Sequence, residues 1–334
     1  KQPASIMQAN NEIQSVFITG ATGFVGKQVV REVTRRGMNA VCLVTSADKL
    51  LRQHSPSIHD RLLPVIGRLS DRAALAQAAR KADAAIHLVG IIMNRRLQGK
   101  TFESVHVKGT QQVVDAVRES GIRRYAHMSA LGARSDAPSE YHRTKFRAEE
   151  SVRRSGLDWT IFRPSLIHGH EGEFTQLMKA FVATMNPPFI PYFGTGDAKL
   201  QPVSVKDVAH GMVESLFMPE LVGVTMPMGG PKAISWRELY EICRRRIPGA
   251  IKMKPMISLP VPVAKGLAVT AGAALAIPES IPGFGWMSKF RFDGGQVMMA
   301  QEDSVCDHTK AEQAFGIQMR DFEEELSEYA GRIS

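Results

Sequence analysis

Short apolar runs of strand length alternate with amphipathic stretches through the first half of the chain. The apolar runs are 16–19, Ala40–Val44, Leu62–Ile66, Ala84–Gly90, Arg124–Met128 and Trp159–Pro164. Helical periodicity fills the gaps: about 24–36 closed by Gly37, from Ser70 or Asp71 to about Arg80, and 101–120 stopping at Gly121. Strictly alternating strand and helix predicts a parallel sheet with helices on both faces. Ala84-Ala85-Ile86-His87-Leu88-Val89-Gly90 shows no polar alternation, which predicts a strand buried on both faces, with His87 a satisfied core histidine. Farther on, Asp207 begins a helix to about Phe217. Ser235-Trp236-Arg237-Glu238 has the spacing of a capping box. A last helix, Asp321 to about Ile333, sets Phe322, Leu326 and Tyr329 on one face.

The least polar stretch is 261–277. It falls short of the roughly 20 residues that span a bilayer, carries Lys265 and is flanked by prolines, so a transmembrane reading is rejected. A buried or interface helix is expected there, with peripheral membrane or protein-complex contact as the alternative.

Composition is that of an ordinary globular chain of 334 residues, 44% hydrophobic and 22% charged. The net charge of +9 raises the question of an acidic partner. The basic residues are scattered and no nucleic-acid-reading motif accompanies them, so nucleic acid is not an expected partner. Cys42, Cys243 and Cys306 show no paired spacing, which predicts neither a zinc site nor a disulfide framework and favours a reducing compartment. Met7 is a plausible natural start, and no charged-then-apolar signal pattern precedes the first strand. A cytoplasmic location is expected, with peripheral membrane attachment as the variant. His168 and His170 lack an acidic or sulfur partner at ligand spacing, so no metal is expected.

The chemistry begins at Val16-Phe17-Ile18-Thr19-Gly20-Ala21-Thr22-Gly23-Phe24-Val25-Gly26, a strand, a turn with glycines three apart and a helix start. Gly20 permits the sharp turn, Gly23 admits a pyrophosphate close to the backbone, and Gly26 lets the helix pack on its strand. The second strand ends in Thr45-Ser46, with Lys49 and Arg52 following, rather than in an acid that would repel a 2′-phosphate. That favours NADP(H) over NAD(H), although the same residues serve equally as helix caps. After the fifth strand come Ser129 and then Tyr141-His142-Arg143-Thr144-Lys145, with Tyr and Lys one helical turn apart. A nearby cation favours phenolate, which makes Tyr141 a candidate acid–base and Ser129 a candidate to orient a substrate oxygen.

Together with Ser129-Ala130-Leu131-Gly132 and Arg163-Pro164-Ser165-Leu166-Ile167-His168-Gly169, these motifs resemble the atypical or extended short-chain dehydrogenases/reductases. The chain is most similar to the branch of the nucleotide-binding accessory subunit of respiratory complex I and its bacterial relatives. That likeness rests on His87-Leu88-Val89-Gly90-Ile91-Ile92, Gln201-Pro202-Val203 with Val205-Lys206-Asp207-Val208-Ala209, Gly295-Gln296-Val297 and Asp303-Ser304-Val305. It implies a Rossmann-type doubly wound sheet with a small C-terminal α/β substrate lobe. The dinucleotide-binding domain would cover 12–165, with elements from about 195–225 returning to it, and 166–334 would be mainly lobe. Ser129, Tyr141 and Lys145 take the catalytic positions by resemblance. Gly20, Thr22, Gly23, Phe24 and Val25 would hold the pyrophosphate, Thr45 and Ser46 the ribose end, Arg68, Leu69, Val89 and Gly90 the adenine side, and Pro164 and Ser165 the nicotinamide. Relatives often carry Arg at position 45, Asp at 68 and Asn at 106, where this chain has Thr, Arg and His. The implied activity is an NAD(P)-dependent oxidoreductase acting on a carbonyl or alcohol. A non-catalytic NADP(H)-binding assembly protein and a nucleotide-sugar-type epimerase or dehydratase are the alternatives.

Overall fold

The computed structural model describes residues 13–94, 99–185, 187–266 and 294–333. The N-terminal part runs β1 (Ser15–Thr19), α1 (Phe24–Arg35), β2 (Asn39–Val44), α2 (Ala47–Arg52), β3 (Leu62–Ile66), α3 (Arg72–Ala79) and β4 (Ala84–His87). A π-helical stretch, Glu103–Lys108, then leads into α4 (Gly109–Glu119). β5 (Arg124–Met128), α5 (Glu140–Arg153) and β6 (Asp158–Pro164) follow. The expected strands are all present, β3 and β5 with their expected bounds. β4 stops at His87, because the chain leaves the sheet there to form the loop that borders the cleft. The helix expected over 101–120 opens with a π turn instead of an α turn.

The main sheet has seven strands, all parallel, in the order Val224–Met228, β6, β5, β4, β1, β2, β3. The order reverses between β1 and β4, which opens the crevice where α/β sheets take their ligands. One face of the sheet packs Val16, Ile18 and Ile86 against Val29, Val30 and Val33 of α1 and, farther along, Val208 and Met212. The other packs Phe17, Val41 and Tyr125 against Leu75 of α3 and Val113, Val114 and Val117 of α4. This is the doubly wound, Rossmann-type architecture that the alternating pattern predicts.

Beyond β6 come β7 (Ile167–His168), α6 (Glu173–Ala183), β8 (Ile190–Phe193), β9 (Lys199–Leu200), β10 (Val203–Ser204) and α7 (Val205–Glu214). β11 (Val224–Met228) is the edge strand of the main sheet. β12 (Ile234–Ser235), α8 (Trp236–Arg246) and β13 (Met256–Leu259) follow. The capping box at Ser235 is formed: Glu238 N–H donates to Ser235 Oγ at 3.2 Å and Ser235 N–H to Glu238 Oε2 at 2.6 Å. α7 begins two residues before Asp207, with Ser204 as its cap. A separate apolar cluster joins Met178 and Phe181 of α6, Leu239 and Tyr240 of α8, and Phe322, Leu326 and Tyr329 of the helix Phe322–Tyr329. That last helix is shorter than the expected span, since Asp321 is its cap and Ala330 opens a 3₁₀ turn. Of the apolar stretch 261–277, residues 267–277 lie outside the described residues; 261–266 are helical with Ala264 buried. No described helix is long and apolar enough to cross a membrane.

The family features near the C-terminus meet in space. Lys199 N–H donates to Asp303 Oδ1 at 2.7 Å, Ser304 N–H to Lys199 O at 2.7 Å, and Cys306 N–H to Gln201 Oε1 at 2.7 Å. Phe315 lies where a Cβ on Gly211 of α7 would be, 2.9 Å from its Cε2. Cys42 and Cys243 are buried free thiols, and Cys306 is half-buried and free.

Candidate active site

The site is built at the C-terminal ends of β1 and β4. After Thr19 the chain turns at Gly20, in the left-handed region at φ +81°. Gly23 N–H closes the turn on Gly20 O at 2.9 Å and Gly23 caps α1, with no side chain capping the helix. A Cβ on Gly26 would fall 2.0 Å from Gly20 O and 2.8 Å from Ala21 Cα, so only glycine lets α1 start this close to the turn. The turn therefore presents bare first-turn N–H groups to the crevice, a fit for a pyrophosphate. Thr22 is half-buried, its carbonyl accepting from Gln53 Nε2 at 3.4 Å. Val25 is buried, and the Phe24 ring sits under the Gly169–Gly172 loop, about 3 Å from where Cβ atoms on those glycines would be.

At the end of β2, where the resemblance implies the adenosine, the structure fixes less. Thr45 is exposed. Ser46 Oγ accepts from Lys49 N–H at 3.2 Å as the cap of α2, the role that competes with ribose binding. Arg68 is exposed, while Leu69 tucks against α4, its Cδ1 2.9 Å from where a Cβ on Gly109 would be.

At the other end of the crevice, α5 is capped by Ser139 and carries Tyr141 and Lys145. Lys145 is buried and its Nζ donates to Met128 O at 2.9 Å, the last residue of β5. Gly90 lets the loop after β4 close on it, since a Cβ there would lie 3.0 Å from Nζ. Burial pulls the Lys145 ammonium down to about 8, against the pull of Glu149 one turn along the helix. Glu149 is fully buried and held bidentately by Arg163 of β6 at 2.8 and 2.6 Å, and by Arg153 at 2.7 Å. Burial also pushes the half-buried Tyr141 phenol up to about 12. Ser129 follows β5; its N–H donates to Phe162 O at 2.7 Å and its buried Oγ has no partner among the described residues. A buried hydroxyl without a bond is unusual and fits a ligand oxygen.

His106 is the residue the sequence did not explain. The π turn swings its ring against Tyr141, edge to face with centroids 5.5 Å apart. Its Nε2 accepts from Ile91 N–H at 3.0 Å, which leaves Nδ1 to carry the proton and donate to Thr144 Oγ1 at 2.9 Å. Burial first, and Lys145 second, hold the ring neutral, down to about 2. His106 thus ties the loop after β4 to α5. The substitution of His for Asn at this position was the available signal, but sequence alone does not show which groups the ring joins. His87 lies in the core as expected, with Nδ1 2.6 Å from Thr19 Oγ1 and Nε2 3.1 Å from Thr110 Oγ1.

The residues proposed for the nicotinamide are placed differently from one another. Pro164 is buried in β6. Ser165 Oγ donates to Ser304 O at 2.7 Å and accepts from Gln201 N–H at 3.3 Å, so its hydroxyl is engaged in holding the C-terminal segment. His168 is fully buried, with Nδ1 3.1 Å from the Tyr329 hydroxyl. Among the described residues no group of three His, Cys, Asp or Glu side chains could hold a metal.

Residues 20–219 match a family described as NAD(P)H-binding, well over half of the chain. The chain belongs to this NAD(P)H-binding family. Among relatives of the NAD(P)H-binding protein is the ceramide reductase of Caulobacter vibrioides, 30% identical over 274 residues that cover 81% of this chain and 82% of that one. The mitochondrial NADH dehydrogenase [ubiquinone] 1 alpha subcomplex subunit 9 of Arabidopsis thaliana is 30% identical over 262 residues, 77% of this chain. The NAD(P)H-binding chain spans 62% of that subunit's length and 64% of its Dictyostelium discoideum counterpart. In fold it is similar to the dTDP-glucose 4,6-dehydratase DesIV of Streptomyces venezuelae, solved with NAD and TYD bound. The TM-score is 0.68 at 19% identity, over 95% of this chain and 96% of that one. The resemblance to the complex I accessory-subunit branch of Rossmann-type reductases is thereby borne out.

Proposed function

We propose that this protein is an NAD(P)-dependent oxidoreductase that interconverts a carbonyl and an alcohol, with Ser129, Tyr141 and Lys145 as its catalytic groups. The observation that carries the reading is the buried, unpartnered Ser129 hydroxyl at the end of β5, in the crevice that Tyr141 and Lys145 border from α5. Nicotinamide dinucleotide, held at the Gly20–Gly26 turn, would be the source or acceptor of the hydride. Ser129 orients the substrate oxygen by hydrogen bonding. Tyr141, protonated at neutral pH, donates its phenolic proton as the carbonyl is reduced, and Lys145 stabilises the phenolate that remains. Val89, Gly90, Pro164 and the phosphate turn line the cofactor's path. NADP(H) is the preferred form, supported by Thr45-Ser46 in place of an acid at the end of β2 and by exposed Thr45, Lys49 and Arg68 there. The relative named ceramide reductase, matched over most of its length, supports a carbonyl on a long-chain lipid as the substrate class.

The test is NADPH oxidation over a panel of long-chain and short-chain ketones with Tyr141→Phe as control. Turnover that persists unchanged in the variant overturns the assignment. A second reading, a nucleotide-binding assembly subunit, is favoured by the match to respiratory-complex subunits. It predicts stoichiometric NADP(H) binding that raises thermal stability with no ketone in the panel reduced.

A further inference from the structure

The lobe carries an apolar and cationic face that the nucleotide site does not use. Between Glu241 and Glu279 the sequence has six cations, Arg244, Arg245, Arg246, Lys252, Lys254 and Lys265, and no carboxylate. Residues 251–257 of this stretch are tied to one surface, and the short helix 261–266 follows directly on β13. Ile251 N–H donates to Val182 O at 2.8 Å, and Lys254 Nζ to Thr184 O at 2.7 Å, which lays 251–257 across the end of α6. Arg244 Nη2 donates to Lys254 O at 2.8 Å and joins the end of α8 to the same segment, while β13 pairs with β8. Large apolar side chains stand out of this surface: Met253 is 91% exposed, Met185 67%, Val263 51% and Ile257 42%. Among the described residues most large apolar side chains are buried, so these four on successive segments stand out. Glu323 pairs with Arg245 and Arg246, and Glu241 with Arg244. Lys252 and Lys265 are exposed and make no ion pair among the described residues.

We propose that this face docks on the surface of an anionic lipid bilayer. Met185, Met253, Ile257 and Val263 would enter the boundary between headgroups and acyl chains, and Lys252 and Lys265 would meet the anionic headgroups. Lys254 Nζ donates to the carbonyls of Phe181 and Thr184 at the end of α6 and so ties the segment carrying Met253 and Pro255 to that helix. Charge complementarity selects an anionic bilayer over a neutral apolar partner. The proposal does not depend on the hydride reaction and holds equally for a non-catalytic nucleotide-binding protein.

Co-sedimentation of the full chain with vesicles tests it, using phosphatidylcholine alone and phosphatidylcholine mixed with phosphatidylglycerol at physiological salt. The wild type is expected to pellet with the mixed vesicles and remain in solution with the neutral ones. Met253→Ser with Ile257→Ser removes apolar contact without altering charge and is expected to lower the vesicle affinity about tenfold. Lys81→Glu with Arg118→Glu, on the α3 and α4 layer of the sheet, changes net charge away from this face and is expected to leave binding within about twofold. Unchanged NADPH affinity in both variants reports that they are folded. The proposal is overturned if the wild type stays in solution, if the serine variant binds like the wild type, or if the remote variant loses as much as the serine variant.

Discussion

The two ends of the nucleotide crevice are built on opposite plans. At the end proposed for hydride transfer three groups are held before any ligand arrives: Lys145 on Met128 O, His106 between Ile91 and Thr144, and Glu149 between two arginines. At the end proposed for the adenosine, Thr45 and Arg68 are exposed and Ser46 is a helix cap. Rigid placement suits a step whose rate depends on ångström positioning, whereas the adenosine end needs only to hold. Where the protein has organised its groups in advance, a small change is felt as rate or stability. Where it has not, the same change is felt as a modest shift in affinity.

That contrast ranks the expected effects. Tyr141→Phe should lower turnover about a thousandfold while leaving the NADPH dissociation constant unchanged, measured by steady-state kinetics and calorimetric titration. Gly26→Ala, which forces a Cβ onto the Gly20 carbonyl, should cost about 3 kcal/mol of stability and abolish detectable nucleotide binding, read from denaturant unfolding.

Lys145 gives the pH test. Its native value, about 8, lies below the ordinary 10.5. From about 8 to about 10.5 the unfolded chain therefore holds one more proton than the native state, and stability rises with pH across that window. Lys145→Met should remove that rise and add about 2–3 kcal/mol at pH 7, while its reduction rate falls. In the wild type the rate of carbonyl reduction should decline as pH climbs through about 8, where Lys145 loses its charge.

His106→Ala leaves Ile91 N–H and Thr144 without their shared partner and should weaken nucleotide binding about tenfold, with His106→Asn recovering part of it. The smallest effect belongs to the open end. Thr45→Asp should shift the NADP(H)-to-NAD(H) affinity ratio by about fivefold toward NAD(H). If that variant instead abolished binding, the adenosine end would be as tightly organised as the hydride end and the contrast would fail.

Most of the sheet was legible because its information is local. Leu62–Ile66 and Arg124–Met128 have the length and composition of strands, Asp71 is a cap in sequence and in space, and the glycines at 20, 23 and 26 announce a turn that sterics then enforce. Ser129, Tyr141 and Lys145 could be nominated because helical spacing and the end of a strand are readable from residue order. The π turn at Glu103–Lys108 was not, since its hydrogen-bond shift leaves no mark on apolar periodicity, and without it the partners of His106 cannot be found. Nor could the engagement of Ser165 with Ser304 be read, because a contact across 139 residues has no local signature.

That last contact also dictates an order of events during synthesis. The Ser165 hydroxyl meets Ser304, and Phe315 stacks on Phe162 at 6.1 Å and fills the space beside Gly211. The strand that borders the crevice is thus buttressed by residues made long after it leaves the ribosome. While the chain is still growing, the face of β6 at Phe162 and the flank of α7 at Gly211 lie uncovered. The nascent protein must wait, with a hydrophobic seam open to its neighbours, until residue 315 has emerged to close it.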